Sequence, residues 1–135
     1  MRQRLREDAL KGLGNDAPYW RALWDGQLAL PMCPTCKTWR WPAPFRCSDC
    51  GGWNFDWRAV EIKGEIYSWT RTWHAFDGAQ ALKKPYVTVS VALPHASGIR
   101  LFGLLEPGDH AKIGAPVVGE TRKTQAFGRD LPVLS

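Results

Sequence analysis

The chain has 135 residues, 44% of them hydrophobic, and no apolar run long enough to cross a membrane, so it should form one compact domain or two very small ones. Its formal charge of +5 counts four cysteines as neutral; four thiolates around one divalent ion would lower it to about +3, a mild surplus that suits an anionic ligand or acidic partner surface and argues only weakly for nucleic acid. Ten prolines and thirteen glycines speak against long helices, and eight tryptophans fit either core filling or an aromatic surface for a partner.

Residues 2–13 read as a short amphipathic helix, with Leu5, Ala9 and Leu13 four apart and Arg4, Arg6, Glu7 and Lys11 between them. A solvated basic arm is the equal alternative. Nothing apolar in residues 1–8 reads as an export signal, so the thiols are expected to stay reduced, in the cytoplasm. Asp16-Ala17-Pro18 starts a second helix, with Asp16 as its cap and Pro18 in its first turn. Trp20, Leu23 and Trp24 are expected on one face, and Gly26 ends the helix. Two turns are too short to stand alone, so the helix must lie on the following segment or on a second protein.

Residues 27–32 read as a strand leading into Cys33-Pro34-Thr35-Cys36, which is echoed by Cys47-Ser48-Asp49-Cys50. Each C-x2-C turn can present two thiolates, and two such turns facing one another make a tetrahedral sulfur cage suited to one zinc ion. Two disulfides, or a redox C-x2-C, are the alternatives; the lack of an export signal weighs against the first and the duplication against the second. A closed four-thiolate site leaves no position for water or substrate, so the metal would be structural. Between the pairs, alternation puts Trp39 and Trp41 on one side and Arg40 on the other, while Pro42 and Pro44 stiffen the return. Gly51-Gly52 allows a tight turn, and Trp53, Phe55 and Trp57 alternate as in a half-buried strand.

From Val60 the chain reads as β segments. Residues 61–73 form a long strand with a bend or bulge expected at Gly64. Tyr86–Leu93 is a second, 94–98 a turn, and 99–105 a third. Residues 107–114 make a turn or one-turn helix, 116–121 a fourth strand and 131–134 a short fifth. Five short strands fit a small Greek-key barrel, the OB-fold. The expected architecture is mainly β: short N-terminal helices over 1–26, a zinc ribbon over 27–58 and a five-stranded OB-fold barrel over 59–135.

No independent active site is legible. His74, His95 and His110 fall on loops or strand ends, and Ser68, Ser90 and Ser97 lie in no nucleophile elbow. Asp77, Glu106 and Asp109 read as turn residues, and no glycine-rich phosphate loop occurs. Catalysis by the chain alone is therefore not expected.

The ordered set of parts resembles the acyl-CoA-associated zinc-ribbon/OB-fold family known as domain of unknown function thirty-five. The resemblance is carried by Pro18-Tyr19-Trp20 through Gly26-Gln27-Leu28, and by the double C-x2-C with Trp39-Arg40-Trp41-Pro42 and Pro44 between. It continues in Gly64-Glu65-Ile66-Tyr67-Ser68-Trp69-Thr70, Pro85-Tyr86-Val87, Ile113-Gly114-Ala115-Pro116-Val117 and Leu131-Pro132-Val133. Residues 1–15 and 94–98 stand outside it. The resemblance implies a rubredoxin-like ribbon and an accessory subunit of a thiolase-like enzyme. In such complexes the partner carries the catalytic residues for thiolysis, acyl transfer or retro-aldol cleavage of CoA esters. The zinc-ribbon subunit docks, shapes the substrate channel and holds part of the CoA.

Two surfaces are candidates for these roles. The 73–85 loop is long for a hairpin. There Lys83 and Lys84, with Arg71 and His74 nearby, would meet CoA phosphates or an acidic partner; the plain alternative is a solvated loop. Trp20 with Trp24, or Trp39 with Trp41, should be largely accessible in the lone chain and covered by the partner, unless all four fill the ribbon's thin core. The competing reading is a zinc-ribbon/OB-fold protein that binds single-stranded nucleic acid. Against it, Ile66, Tyr67, Val87, Val89 and Val91, and not clustered lysine and arginine, dominate the expected barrel strands.

Overall fold

In the computed structural model, which describes residues 14–126 and 129–134, Pro18 stands in the first turn of helix α1 (Ala17–Trp24), where its missing N–H costs nothing. The helix expected over residues 2–13 lies outside the described residues. Asp16 occupies the N-cap position, but its carboxylate does not cap the backbone. Instead Oδ2 accepts the indole N–H of Trp20 at 2.9 Å, a side-chain partner one turn along. The buried residues of α1 are Ala17, Tyr19 and Leu23, with Tyr19 and Leu23 only 4% and 2% exposed. The expected face of Trp20, Leu23 and Trp24 is thus rotated, because the tyrosine ring and not the Trp24 indole enters the core.

Strand β1 (Leu28–Met32) pairs antiparallel with β2 (Asp56–Val60), from Leu28 opposite Val60 to Met32 opposite Asp56. Both cysteine turns lie between these strands. The alternation of Trp53, Phe55 and Trp57 does not make one strand: residues 51–55 are irregular and Trp53 is exposed. β1 ends at Met32 opposite Asp56, so residues 51–55 have no part of β1 to pair with.

Past Ile62 the chain forms a four-stranded antiparallel sheet of β3 (Lys63–Thr72), β4 (Tyr86–Leu93), β5 (Ile99–Leu104) and β6 (Pro116–Val118), in the order β5-β4-β3-β6. The irregularity in β3 falls between Ile66 and Ser68, with Tyr67 as the extra residue, and not at Gly64. Gly64 serves close approach. A Cβ there would collide with the carbonyl oxygen of Ala92 and lie 2.7 Å from Cγ1 of Val91. The strand expected over 116–121 divides after β6. β7 (Thr121–Ala126) leaves the sheet and pairs with β8 (Arg129–Leu134), from Thr121 opposite Leu134 to Ala126 opposite Arg129. The result is mainly β, as expected: a curled half-barrel whose last two strands are set apart as a hairpin.

One core serves every part. Tyr19 and Leu23 of α1, Leu28 and Leu30 of β1, and Leu93, Ala96 and Leu101 of the sheet region form one buried cluster, with Trp20, Trp39, Trp41 and Trp57 packed against it. Each fully buried leucine contributes roughly 1.5–3 kcal/mol. α1 lies against β1 and the β7–β8 hairpin, so the two-turn helix is covered by its own chain. Among the described residues no helix is long and apolar enough to cross a membrane.

Candidate metal centre and ligand cleft

Each cysteine pair wraps a tight turn closed by backbone hydrogen bonds. Lys37 N donates to Cys33 O at 2.8 Å and Gly51 N to Cys47 O at 2.9 Å. Lys37 and Gly51, each directly after its second cysteine, both take positive φ, 58° and 72°. Glycine does so freely, whereas Lys37 is held there by the turn.

The turns bring the four sulfurs within 4.8 Å of one another. Cys33 and Cys50 Sγ are 3.6 Å apart, Cys36 and Cys47 Sγ 3.9 Å, and all four cysteines are free. A tetrahedral ion about 2.3 Å from each sulfur requires S–S edges of about 3.8 Å, so this set could hold a metal ion with little movement. Cys33 and Cys47 are buried, Cys36 is half-buried and Cys50 exposed.

The electrostatics inside the cluster are uneven. The backbone N–H groups of Cys50 and then Asp49, helped by Cys33 and Arg40 against the effect of burial, draw the Cys47 thiol down to about 6. Hydrogen bonding to Cys50, then burial and the other two cysteines, pushes Cys36 up to about 12. A divalent ion would take the place of the thiol protons. Arg40 Nη2 lies 3.7 Å from Cys47 Sγ and 2.5 Å from Asp49 Oδ2. Burial works against the Arg40 charge, but Asp49 and Cys47 together hold its guanidinium above the ordinary value.

The expectation that one tryptophan pair stands open does not hold. Trp20, Trp24, Trp39 and Trp41 are all half-buried. Tyr19 meets Trp20 edge-on at 5.0 Å and lies tilted on Trp41 at 4.3 Å, while Trp24 carries the Lys123 ammonium at 4.5 Å. In so thin a ribbon, indoles are the side chains large enough to fill the space between helix and sheet. The exposed aromatics are elsewhere: Phe45 and Trp53 on the ribbon, Tyr67, Trp69 and Phe102 on the sheet, Trp73 and Phe76 on the 73–85 loop.

Arg71 and Lys83 come together, and two other expected ligand residues do not join them. Arg71 and Lys83 line a cleft of about 400 Å³ between the end of β3, the 73–85 loop, the 105–110 turn and the start of β7. His110, Arg122 and Lys123 add to its basic wall. His74 instead stacks edge-on with Phe76 at 4.6 Å, and Lys84 Nζ turns back to the Leu82 carbonyl at 3.5 Å. Arg122 is held by Glu120 at 2.6 Å and Glu106 at 2.8 Å. A second hollow of about 430 Å³ lies beside the cleft, lined by Val89, Val91, Leu93, Leu101 and Val117. The two share Leu104, Leu105, Glu106, Asp109 and Arg122. Arg122 and Lys123 are adjacent in sequence but some fifty residues from Arg71, and the departure of β7 from the sheet sets them beside it.

Residues 57–122 match the family described as ChsH2, C-terminal OB-fold domain. A solved chain of the Ltp2-ChsH2(DUF35) aldolase superposes with a TM-score of 0.72 at 28% identity, covering 91% of this chain and 95% of that one. The chain is similar to the DUF35 OB-fold family. The structural match takes in far more of the chain than residues 57–122. No curated protein matches the sequence.

Proposed function

We propose that the chain is a non-catalytic zinc-ribbon/OB-fold subunit that docks on a thiolase-like partner and helps bind or channel an acyl-CoA substrate. The partner would be a thiolase, acyltransferase or retro-aldolase of steroid, lipid or aromatic-compound degradation, working in the cytoplasm. The observation that carries this reading is the likeness, over nearly the full length of both chains, to the DUF35 chain of the Ltp2-ChsH2 aldolase.

In this reading one zinc ion is held by Cys33, Cys36, Cys47 and Cys50 and is structural, since four thiolates fill a tetrahedral shell. Residues 1–26, 27–58 and 59–135 are the helical, ribbon and barrel parts. The basic cleft with Arg71 and Lys83 receives the phosphate end of CoA, and the adjoining apolar hollow faces the acyl side. That juxtaposition of a cationic and an apolar cavity suits a ligand with one highly charged end. Docking falls to the exposed aromatics of ribbon and sheet, such as Trp53 and Phe102, more than to the half-buried tryptophans.

Co-expression with a thiolase-like protein from the same source, followed by size-exclusion chromatography and acyl-CoA turnover, tests the proposal. A stoichiometric complex that turns over acyl-CoA, with no turnover by this chain alone, is the expected result. Turnover by the chain alone would overturn it. So would tight binding of a single-stranded oligonucleotide at physiological salt without any thiolase-like partner, which would favour the nucleic-acid reading.

A further inference from the structure

A divalent ion in a four-thiolate cage leaves a formal charge of about −2 on the site. Two of these sulfurs are buried, so the surplus must be balanced nearby. Arg40 is placed to do so. Its Nη2 faces Cys47 Sγ at 3.7 Å, and the same nitrogen is held from the other side by Asp49 at 2.5 Å. Arg46, the other arginine between the cysteine pairs, is used elsewhere: its Nε donates to Gly51 O at 3.0 Å and its guanidinium lies over Trp53 at 4.7 Å.

The Arg40 side chain is only 22% exposed, and its Nε is buried without a hydrogen-bond partner among the described residues. A buried, unpaired donor is costly, so the position is imposed by what Nη2 gains. The backbone fixes the same residue. Arg40 N donates to Pro31 O at 2.9 Å, and Trp39 N donates to Ser97 Oγ at 3.2 Å. Trp39 and Trp41, on either side, pack against the core of α1 and the sheet.

We infer that Arg40 is the counter-charge of the metal centre, and that through Trp39 and Trp41 it couples metal occupancy to the seating of α1. Filling the site creates the anion that draws Arg40 toward Cys47. Emptying it weakens that pull on a three-residue segment whose outer members hold the helix. The inference rests on the zinc reading above.

The test uses the full chain, with zinc affinity measured by competition against a chromophoric chelator. Arg40→Gln should weaken zinc binding roughly 10- to 100-fold, as loss of an outer-sphere partner does. It should also shift the sulfur-to-metal charge-transfer band of the cobalt-substituted protein, and speed amide exchange in α1 with metal bound. Arg40→Lys keeps the charge without the fork and should recover part of the affinity. Arg40→Gln binding zinc within about twofold of the parent, with an unshifted cobalt band, would overturn the inference while leaving the zinc site standing. Should Arg40→Gln fail to accumulate, Arg40→Lys decides: zinc release several-fold faster than the parent supports the inference, and release at the parental rate overturns it. A parent chain that holds no metal removes both readings together.

Discussion

The rings of Tyr19 and Trp41 lie with centroids 4.3 Å apart and planes inclined by 37°, joining α1 to the segment between the two cysteine pairs. Tyr19→Ala should therefore cost about 3–5 kcal/mol, read from the urea-unfolding midpoint of the metal-loaded chain. Tyr19→Phe should cost less than about 1.5 kcal/mol, since volume and packing are kept. Burial pushes the Tyr19 phenol above its ordinary value. The sign follows: this contribution is complete below the ordinary phenol value near 10, and it declines as pH rises above that, because only the unfolded chain then gives up the proton. In an alkaline titration, one of the three tyrosines should ionise only with unfolding.

Metal content should be one equivalent per chain, and each Cys→Ser change should lose it together with most folded protein. Structural zinc contributes on the order of 10 kcal/mol to small folds. The Cys47 thiol, drawn down to about 6, favours the ligating form at neutral pH. A depressed value means the advantage is present above the ordinary thiol value and is lost as pH falls through about 6. With zinc bound, protons must compete with the ion for all four sulfurs, so release to a colorimetric chelator should rise as pH falls. A site that keeps its metal unchanged well into acid would contradict the expectation.

Gly64→Ala should destabilise by about 1–3 kcal/mol, because the added methyl meets Val91 and the backbone of Ala92. The neighbouring strands are rigidly paired on both sides of β3 and cannot move apart cheaply. Thermal melting of the metal-loaded variant measures it, and an unchanged melting temperature would show that β3 and β4 can separate there.

Arg71→Glu combined with Lys83→Glu should raise the apparent KM of the assembled complex for acyl-CoA roughly three- to tenfold, with folding and metal content intact. Lys84→Glu and His74→Ala should leave KM unchanged, because neither residue lines the cleft. The double variant's deficit should shrink at high salt, as exposed charge contacts are screened. Equal effects of Lys83 and Lys84 would point to general charge attraction by the loop.

Much of this arrangement is legible from the chain. Four cysteines at fixed spacing mark the cluster that could hold a metal ion, because ligand geometry is local. Tyr86–Leu93 is readable because β-branched residues alternate between matched turns. Simple alternation separates Trp39 and Trp41 from Arg40, but that the tryptophans pack on the core while Arg40 faces Cys47 was not legible. What was not legible depends on partners distant in sequence. Tyr19 outranks Trp24 in the core because Trp41 is there to receive it. Trp53 leaves the strand because β1 has run out of residues. Lys83 and Lys84 are adjacent and chemically identical, yet only the fold sends one into the cleft and the other back onto Leu82.

The shared core has a consequence for how such a chain can be inherited. The family match begins at residue 57, inside β2, while the strand that completes β2 and the helix that roofs Leu93 and Leu101 are encoded earlier. A recombination that carried the barrel alone into another gene would deliver an uncovered oily face, and its product should aggregate. The cysteine turns, helix and half-barrel must travel as one cassette. Fusions to other enzymes should therefore join outside that block, and engineered chimaeras that cut between ribbon and barrel should fail at the level of soluble expression.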